Sequence, residues 1–143
     1  MKIKQISVFI ENKTGRLHDV AKVLSDNKIN IRALSLAETS DFGVLRMIVD
    51  KPDEAVKVIK TNNFTVKITE VVAVEVPDKI GGLAGVLKIV DSASINIEYM
   101  YAFVEKKHEN AILIFRFDKL GDVLETLKKK GLKILTEKEV LSL

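Results

Sequence analysis

Apolar residues recur along the chain with a spacing that changes in a regular order. Ile6, Val8 and Ile10 stand at alternate positions, as on a strand that buries one face. The next apolar residues are three and four positions apart, which is the spacing of an amphipathic helix. They are Leu17, Val20, Ala21 and Leu24. The pattern therefore predicts a strand followed by a helix.

Strand-like segments return after this helix. Ile29–Ala37 and Val44–Val49 are two predicted strands joined by a short turn. Asp50 is positioned to cap a second helix, and Pro52 suits a position near its first turn. A last strand is predicted at Phe64–Ile68. The predicted order of elements is βαββαβ.

The same order of elements occurs twice. Residues 10–31 match residues 76–97 without a gap at an offset of 66, and the later part of each copy aligns at an offset of 68. Eight positions of the first match are identical: Lys13/Lys79, Gly15/Gly81, Leu17/Leu83, Val20/Val86, Lys22/Lys88, Ile29/Ile95, Asn30/Asn96 and Ile31/Ile97. We therefore predict two domains, residues 1–70 and 71–143.

The second copy repeats each predicted element. Its first strand is Val71–Val76, its last helix runs from Asp118 to Gly131, and its last strand is Leu132–Leu135. Right-handed connections fold this order into an antiparallel sheet with both helices on one face. The predicted class is α+β, with two ferredoxin-like βαββαβ modules.

Composition narrows the classes of function. The net charge of +3 is too small to predict nucleic-acid binding. The absence of cysteine excludes disulfides, thiolate metal sites and a cysteine nucleophile. No apolar run resembles a signal peptide or a membrane span, so we expect a cytoplasmic protein without a membrane partner. His18 and His108 belong to no catalytic or metal-binding pattern, and we predict neither enzyme activity nor a metal or cofactor.

The turn from the first strand to the first helix is the most informative segment of each copy. Gly15 and Gly81 allow a positive φ there, and the helix that follows presents unpaired N–H groups to an anion such as a carboxylate. Asn12 and Asp78 stand three residues before these glycines. Each side chain suits either a ligand's ammonium group or the capping of the helix, and the sequence leaves both open.

A second polar position is repeated after the helix, in Ile29-Asn30-Ile31 and Ile95-Asn96-Ile97. The amide of Asn30 or Asn96 either satisfies backbone groups at the strand end or reaches a ligand. Gly85 lies inside the second copy's helix, where glycine costs about 1 kcal/mol relative to alanine, so a packing or ligand reason for it is expected.

These residues resemble the pattern of ACT domains, which are small-molecule sensing modules of amino-acid metabolism. The resemblance covers nearly the whole chain, in Asn12-x-x-Gly15-x-Leu17 and Asp78-x-x-Gly81-x-Leu83 together with the two Ile-Asn-Ile segments. It implies a free-standing, non-catalytic sensor that binds an amino acid between paired domains and forms a homodimer, with a metabolic enzyme as a further candidate partner. The predicted ligand-binding residues are Asn12, Thr14, Gly15, Arg16, Leu17, Asn30, Asp78, Ile80, Gly81, Gly82, Leu83 and Asn96.

The chain departs from the family pattern in one respect. Thr14 and Ile80 stand where family members often have proline, which leaves the loop less rigid. Gly81, Gly82 and Gly85 permit close approach of a ligand in the second copy, so we rank the second site above the first.

Two other functions are compatible with this topology. An RNA-binding ferredoxin-like protein would stack bases on aromatic residues of its sheet, and Phe115 and Phe117 share one face of a predicted central strand. The positions equivalent to them are not aromatic, so a core or dimer-interface role explains them better. The other alternative is a purely structural partner of a metabolic enzyme.

Overall fold

The computed structural model describes residues 1–104, 107 and 109–143, so His108 lies outside the described residues. The elements, in chain order, are β1 Ile3–Glu11, α1 Arg16–Asp26, β2 Ile31–Glu38, β3 Phe42–Val49, α2 Pro52–Thr61, β4 Thr65–Pro77, α3 Gly82–Ser92, β5 Ile97–Ala102, β6 Asn110–Phe117, α4 Asp122–Lys129, β7 Lys133–Leu135 and α5 Glu137–Leu141. Among the described residues, no helix is long and apolar enough to cross a membrane.

The chain divides into two compact units, which we call the first and second copies. The first is Lys4–Thr69, and the second is Glu70–Leu143 together with Met1–Ile3. The strand order is β2-β3-β1-β4 in the first copy and β5-β6-β4-β7 in the second. The β1–β3, β2–β3, β4–β6, β4–β7 and β5–β6 pairs are antiparallel. The predicted α+β class with two ferredoxin-like modules is confirmed.

The core of the first copy lies between its sheet and its two helices. Alternate residues of β1 and β3 meet the apolar stripes of α1 and α2, as the periodicity predicts. The buried residues of this core are Ile6, Val8, Ile10, Val20, Leu24, Ile29, Leu45, Met47, Val49, Ala55, Ile59, Phe64 and Val66. Their burial fixes which face of the sheet the helices cover.

The second copy has its own core, and its largest members are aromatic. Phe115 and Phe117 are almost completely buried, and their rings stack with centroids 5.4 Å apart. Both pack with residues of α3 and α4, among them Val86 and Leu127. Their interpretation as core residues is confirmed, and this pair is not exposed for stacking on bases.

Two elements differ from the predictions by more than two residues at a boundary. The segments Phe64–Ile68 and Val71–Val76 were predicted as separate strands, but Thr65–Pro77 is one strand, because no turn-forming residue interrupts it. The last long helix begins at Asp122 and not at Asp118. Gly121 lies immediately before α4 and has a non-helical backbone, with φ 94°. This residue therefore sets the start of the helix.

The prediction that Asp50 caps the second helix is wrong. The residue that precedes α2 is Lys51, and Oδ1 of Asp50 instead accepts the backbone N–H of Asn30 at 2.9 Å. The backbone N–H of Asp50 donates to the carbonyl of Asn30 at 3.1 Å. Asp118 and Asn96 form the same two bonds, at 3.1 and 3.0 Å. This reciprocal pair is therefore a repeated structural feature of both copies.

The short C-terminal helix α5 was missed, although its signal is present in the sequence. The hydroxyl of Thr136 accepts the backbone N–H of Glu139, and the carboxylate of Glu139 accepts the N–H of Thr136. The backbone and side-chain bonds from Thr136, together with the nearby Lys107, lower the pKa of Glu139. A Thr-x-x-Glu sequence at a helix start is the usual signature of this arrangement.

Candidate functional site

The turn before α3 leaves the start of that helix uncapped. Gly81 has φ 84°, and no side chain caps the helix at this position. The backbone N–H of Gly82 donates to the carbonyl of Lys79 at 3.0 Å. Within the described part of the chain, the N–H groups of Leu83 and Ala84 donate to no acceptor. These two amides and the positive end of the helix dipole are available to an anion.

A cavity of about 340 Å³ lies beside this turn. A volume of this size is at the lower end of the range typical of small-molecule sites, roughly 300–1,000 Å³. The lining residues are Glu75, Pro77, Lys79, Gly81, Gly82, Gly85, Val86, Ile89, Asn110, Gly131, Leu132 and Lys133. All of them belong to the second copy.

The lining combines a small number of polar groups with an apolar wall. Glu75 is the acidic residue of the lining, and its side chain is only 8% exposed. The side-chain amide of Asn110 donates to Oε1 of Glu75 at 2.6 Å. Nζ of Lys107 lies 3.8 Å from Oε2 of Glu75 and 3.5 Å from a carboxylate oxygen of Glu139. The Glu75 carboxylate is therefore held in place by two neighbours.

The glycines of this site are present for different physical reasons. A Cβ on Gly82 would lie 2.0 Å from the carbonyl oxygen of Pro77, so this position requires glycine for backbone packing. A Cβ on Gly85 would meet nothing within 4 Å. Within the described residues, no packing contact requires glycine at position 85, and its place on the cavity wall is the feature that remains.

The other predicted residues of the second copy lie at the two ends of α3. Asp78 and Leu83 are exposed, and the side chain of Ile80 is completely exposed. Asn96 follows the opposite end of α3, an 11-residue helix that spans about 16 Å. Within this copy, Asn96 is therefore not brought together with Gly81.

The corresponding turn of the first copy is held by its own side chain. Nδ2 of Asn12 donates to the carbonyl oxygens of Thr39 and Ser40, at 3.3 and 3.4 Å. These bonds tie the turn to the β2–β3 hairpin. Thr14 and Leu17 are exposed, and Gly15 has φ 90° at the start of α1.

The remaining predicted residues of the first copy lie at the two ends of α1. Arg16 stacks on the ring of Phe64, with its guanidinium carbon 4.4 Å from the ring centroid. Asn30 follows the far end of the helix, and its backbone bonds to Asp50. Within this copy, Asn30 is not brought together with Gly15. His18 is exposed on α1, which confirms its interpretation as a solvated residue.

Part of the cavity wall was not predicted from the sequence. Glu75 and Asn110 come from β4 and β6, and Gly131, Leu132 and Lys133 come from the turn into β7. These residues are far apart along the chain, and antiparallel pairing brings the strands together. Periodicity assigns each strand a face but does not reveal which loops meet beyond the end of a short edge strand.

Comparisons with known proteins agree with this architecture. The family model described as an ACT domain pair matches residues 1–143. A protein of Bacteroides thetaiotaomicron with a solved structure is 41% identical, with a TM-score of 0.92 over 100% of this chain and 98% of that chain. The ligand-free regulatory subunit of aspartate kinase from Thermus thermophilus is 16% identical, with a TM-score of 0.64 over 90% of this chain and 92% of that chain. No match was found among curated proteins.

Proposed function

The chain belongs to the family of ACT domain pairs, and from this premise we propose that it is a non-catalytic regulatory protein that binds an amino acid. The observation that carries the proposal is the cavity of the second copy beside the uncapped start of α3. The proposed site residues are Gly81 and Gly82 with the other residues of that cavity. A cytoplasmic location is part of the same proposal.

The cavity and the helix start beside it offer complementary groups for each part of an amino acid. The free N–H groups of Leu83 and Ala84 follow directly after Gly81 and Gly82 of the lining and suit its α-carboxylate. The carboxylate of Glu75 suits its ammonium group, with the charge-assisted hydrogen bond that such a pair makes. Ile89 and Leu132 line the same cavity and suit an apolar side chain. The described lining contains no serine, threonine or histidine, and its titratable residues are Glu75, Lys79 and Lys133.

The names of structural neighbours support a regulatory role. The Thermus thermophilus neighbour is a regulatory subunit of aspartate kinase. At 16% identity the likeness concerns the fold, so it does not identify the enzyme that this chain would regulate.

The proposal predicts that an amino acid raises the melting temperature of the protein. A ligand that binds only the folded state stabilises it by about 2.7 kcal/mol at 100 times its Kd. For a chain of this length, that corresponds to a shift of about 5–10 °C. Differential scanning fluorimetry against the twenty common L-amino acids, each added at increasing millimolar concentration, measures it.

The D-enantiomer of each active amino acid is the matched control, because it has the same charge and composition with a different arrangement around the α-carbon. We expect the L-form to shift the melting temperature more than the D-form. If none of the twenty amino acids changes the melting temperature, the sensor function is wrong, and a structural partner becomes the better interpretation.

A homodimer is the second part of the proposal, and β2 is the surface that supports it. β2 ends the strand order of the first copy, so its outer edge pairs with no strand in the described part of the chain. Leu34 and Leu36 on this strand are 48% and 45% exposed, and Leu17 of α1 is also exposed. An edge strand beside exposed leucines suits a second copy of the same chain. A metabolic enzyme is the alternative occupant.

Replacing both Leu34 and Leu36 with lysine is expected to convert the dimer to a monomer. A symmetric interface would lose four buried leucines, which weakens association by roughly 10³-fold or more. Sedimentation equilibrium measures the change. Ile68→Lys, at another exposed apolar residue, is the control that should remain dimeric. A double variant with the association constant of the original protein would place the interface elsewhere.

A further inference from the structure

The two copies can be compared position by position. Gly15 and Gly81 precede α1 and α3 with φ of 90° and 84°. Asn63 and Gly131 both have positive φ, 66° and 99°, just before the last strand segment of their copies. The pairing of Ile6 with Met47 in the first copy corresponds to the pairing of Val72 with Phe115 in the second. The offsets of 66 and 68 residues are therefore structural equivalences.

Three residues that line the second copy's cavity have equivalents of a different type in the first copy. Arg16 corresponds to Gly82, Asp19 to Gly85 and Phe64 to Leu132. The second-copy member of every pair lines the cavity. A difference between the copies at these positions therefore changes the space that a ligand could enter.

In the first copy, the side chain of Arg16 occupies this space. Its guanidinium carbon lies 4.4 Å from the centroid of the Phe64 ring, and its Nη1 donates to Oδ2 of Asp19 at 3.2 Å. The side chain is only 28% exposed, although it lies on a surface helix. Arg16 thus bridges the start of α1 and the residue that leads into β4.

In the second copy, glycine at positions 82 and 85 sends no side chain into the equivalent space. Leu132 is shorter than phenylalanine and lines the cavity. Since a Cβ on Gly85 would have nothing within 4 Å, the protein itself does not fill the region beside it. The place beside the first turn of the helix therefore holds an arginine side chain in one copy and no side chain in the other.

A depression of about 340 Å³, the same volume as the second copy's cavity, remains beside Arg16, but it lies further along α1 and its chemistry differs. It is lined by Arg16, Asp19, Lys22 and Asp26 together with three uncharged residues. Nζ of Lys22 lies 2.7 Å from Oδ2 of Asp26, and Arg16 is paired with Asp19. These charges are paired within α1, and Glu75 of the second copy's cavity is likewise paired with Lys107, so the difference between the two places is the Arg16 side chain itself.

We propose that the two copies have divided their roles: the second copy binds the ligand, and Arg16 closes the equivalent place in the first copy. Each chain therefore takes up one ligand and not two. This inference rests on the proposed amino-acid binding and adds to it the stoichiometry and the residue that sets it.

Amide NMR spectroscopy of the full chain tests the inference with the twenty common L-amino acids as probes. The glycines supply reporters in both copies, Gly15 in the first and Gly81, Gly85 and Gly131 in the second. We expect an active amino acid to shift the three second-copy glycine signals and to leave Gly15 unchanged, with one ligand per chain by calorimetry. Saturable shifts at Gly15, or two ligands per chain, would overturn the division of roles while leaving amino-acid binding intact. No shift with any probe would overturn the binding itself.

Opening the first copy tests the role of Arg16 directly. The double variant Arg16→Gly with Phe64→Leu places two of the three second-copy residues in the first copy and leaves Asp19. We expect it to bind a second ligand and to shift the signal of Gly15. Arg16→Ala removes the same side chain with better helix propensity and serves if the double variant melts too easily. Arg16→Lys keeps a long cation there and should bind one ligand. A folded opened variant that still binds one ligand, with Gly15 unaffected, would show that Arg16 does not close the site.

Discussion

Replacing Gly82 with alanine is expected to destabilise the protein by about 3 kcal/mol. The added Cβ would lie 2.0 Å from the carbonyl oxygen of Pro77 and 3.1 Å from its carbonyl carbon. The strand cannot easily move away, because Pro77 pairs with Asn110 and its carbonyl accepts the N–H of Lys79 at 2.9 Å. Relief of the clash therefore requires a backbone shift, which in packed sites typically costs 1–3 kcal/mol and occasionally more.

Gly85→Ala is the matched control for this prediction. Both residues belong to α3, but a Cβ at position 85 has nothing within 4 Å. Alanine should therefore stabilise the helix, by up to about 1 kcal/mol. Urea unfolding followed by circular dichroism measures both variants, and we expect their midpoints to move in opposite directions. If the two alanine variants unfold at the same urea concentration, close backbone approach is not the reason for Gly82.

The order and faces of the elements were predictable because they depend on local periodicity. The stripe from Leu17 to Leu24 places Val20 and Leu24 in the core, and the duplication applies the same reasoning to α3. The errors lie where a nonlocal contact decides the outcome. Asp50 has the sequence context of a helix cap, yet its carboxylate bonds to Asn30, which is 20 residues earlier. Only the pairing of β2 with β3 brings these residues together.

The candidate site was predictable only in part, for a related reason. The special backbone of Gly81 and its repetition at Gly15 follow from local sequence, since each has the positive φ expected of such a turn. The cavity depends on what fills the space beside that turn. Arg16 reads as an ordinary exposed helix residue in the sequence, and its stacking on Phe64 depends on the packing of α1 against the start of β4. The cavity of the second copy and the position of the Arg16 side chain in the first were not predictable, because nonlocal packing decides which side chain lies beside each turn.

The contrast between Gly82 and Gly85 also separates the requirements of the fold from those of the ligand. Gly82 is explained by its contact with Pro77, so the fold alone is a sufficient reason for glycine there. Gly85 has no such contact, although a glycine within a helix weakens it. A side chain at position 85 would point into unfilled space on the cavity wall. Position 85 is therefore the place where the ligand site can be blocked without disturbing the protein.

Gly85→Leu is expected to abolish the melting-temperature shift produced by the active amino acid while leaving the fold intact. A leucine side chain would occupy part of a cavity of about 340 Å³, and it would do so from a helix position that accepts a Cβ. Calorimetry should show affinity weakened by at least about 100-fold, which corresponds to about 2.7 kcal/mol. Lys88→Leu adds a leucine to the exposed side of the same helix, outside the cavity lining, and should retain binding. Unchanged affinity in a folded Gly85→Leu protein would remove this cavity as the binding site, whatever the amino acid.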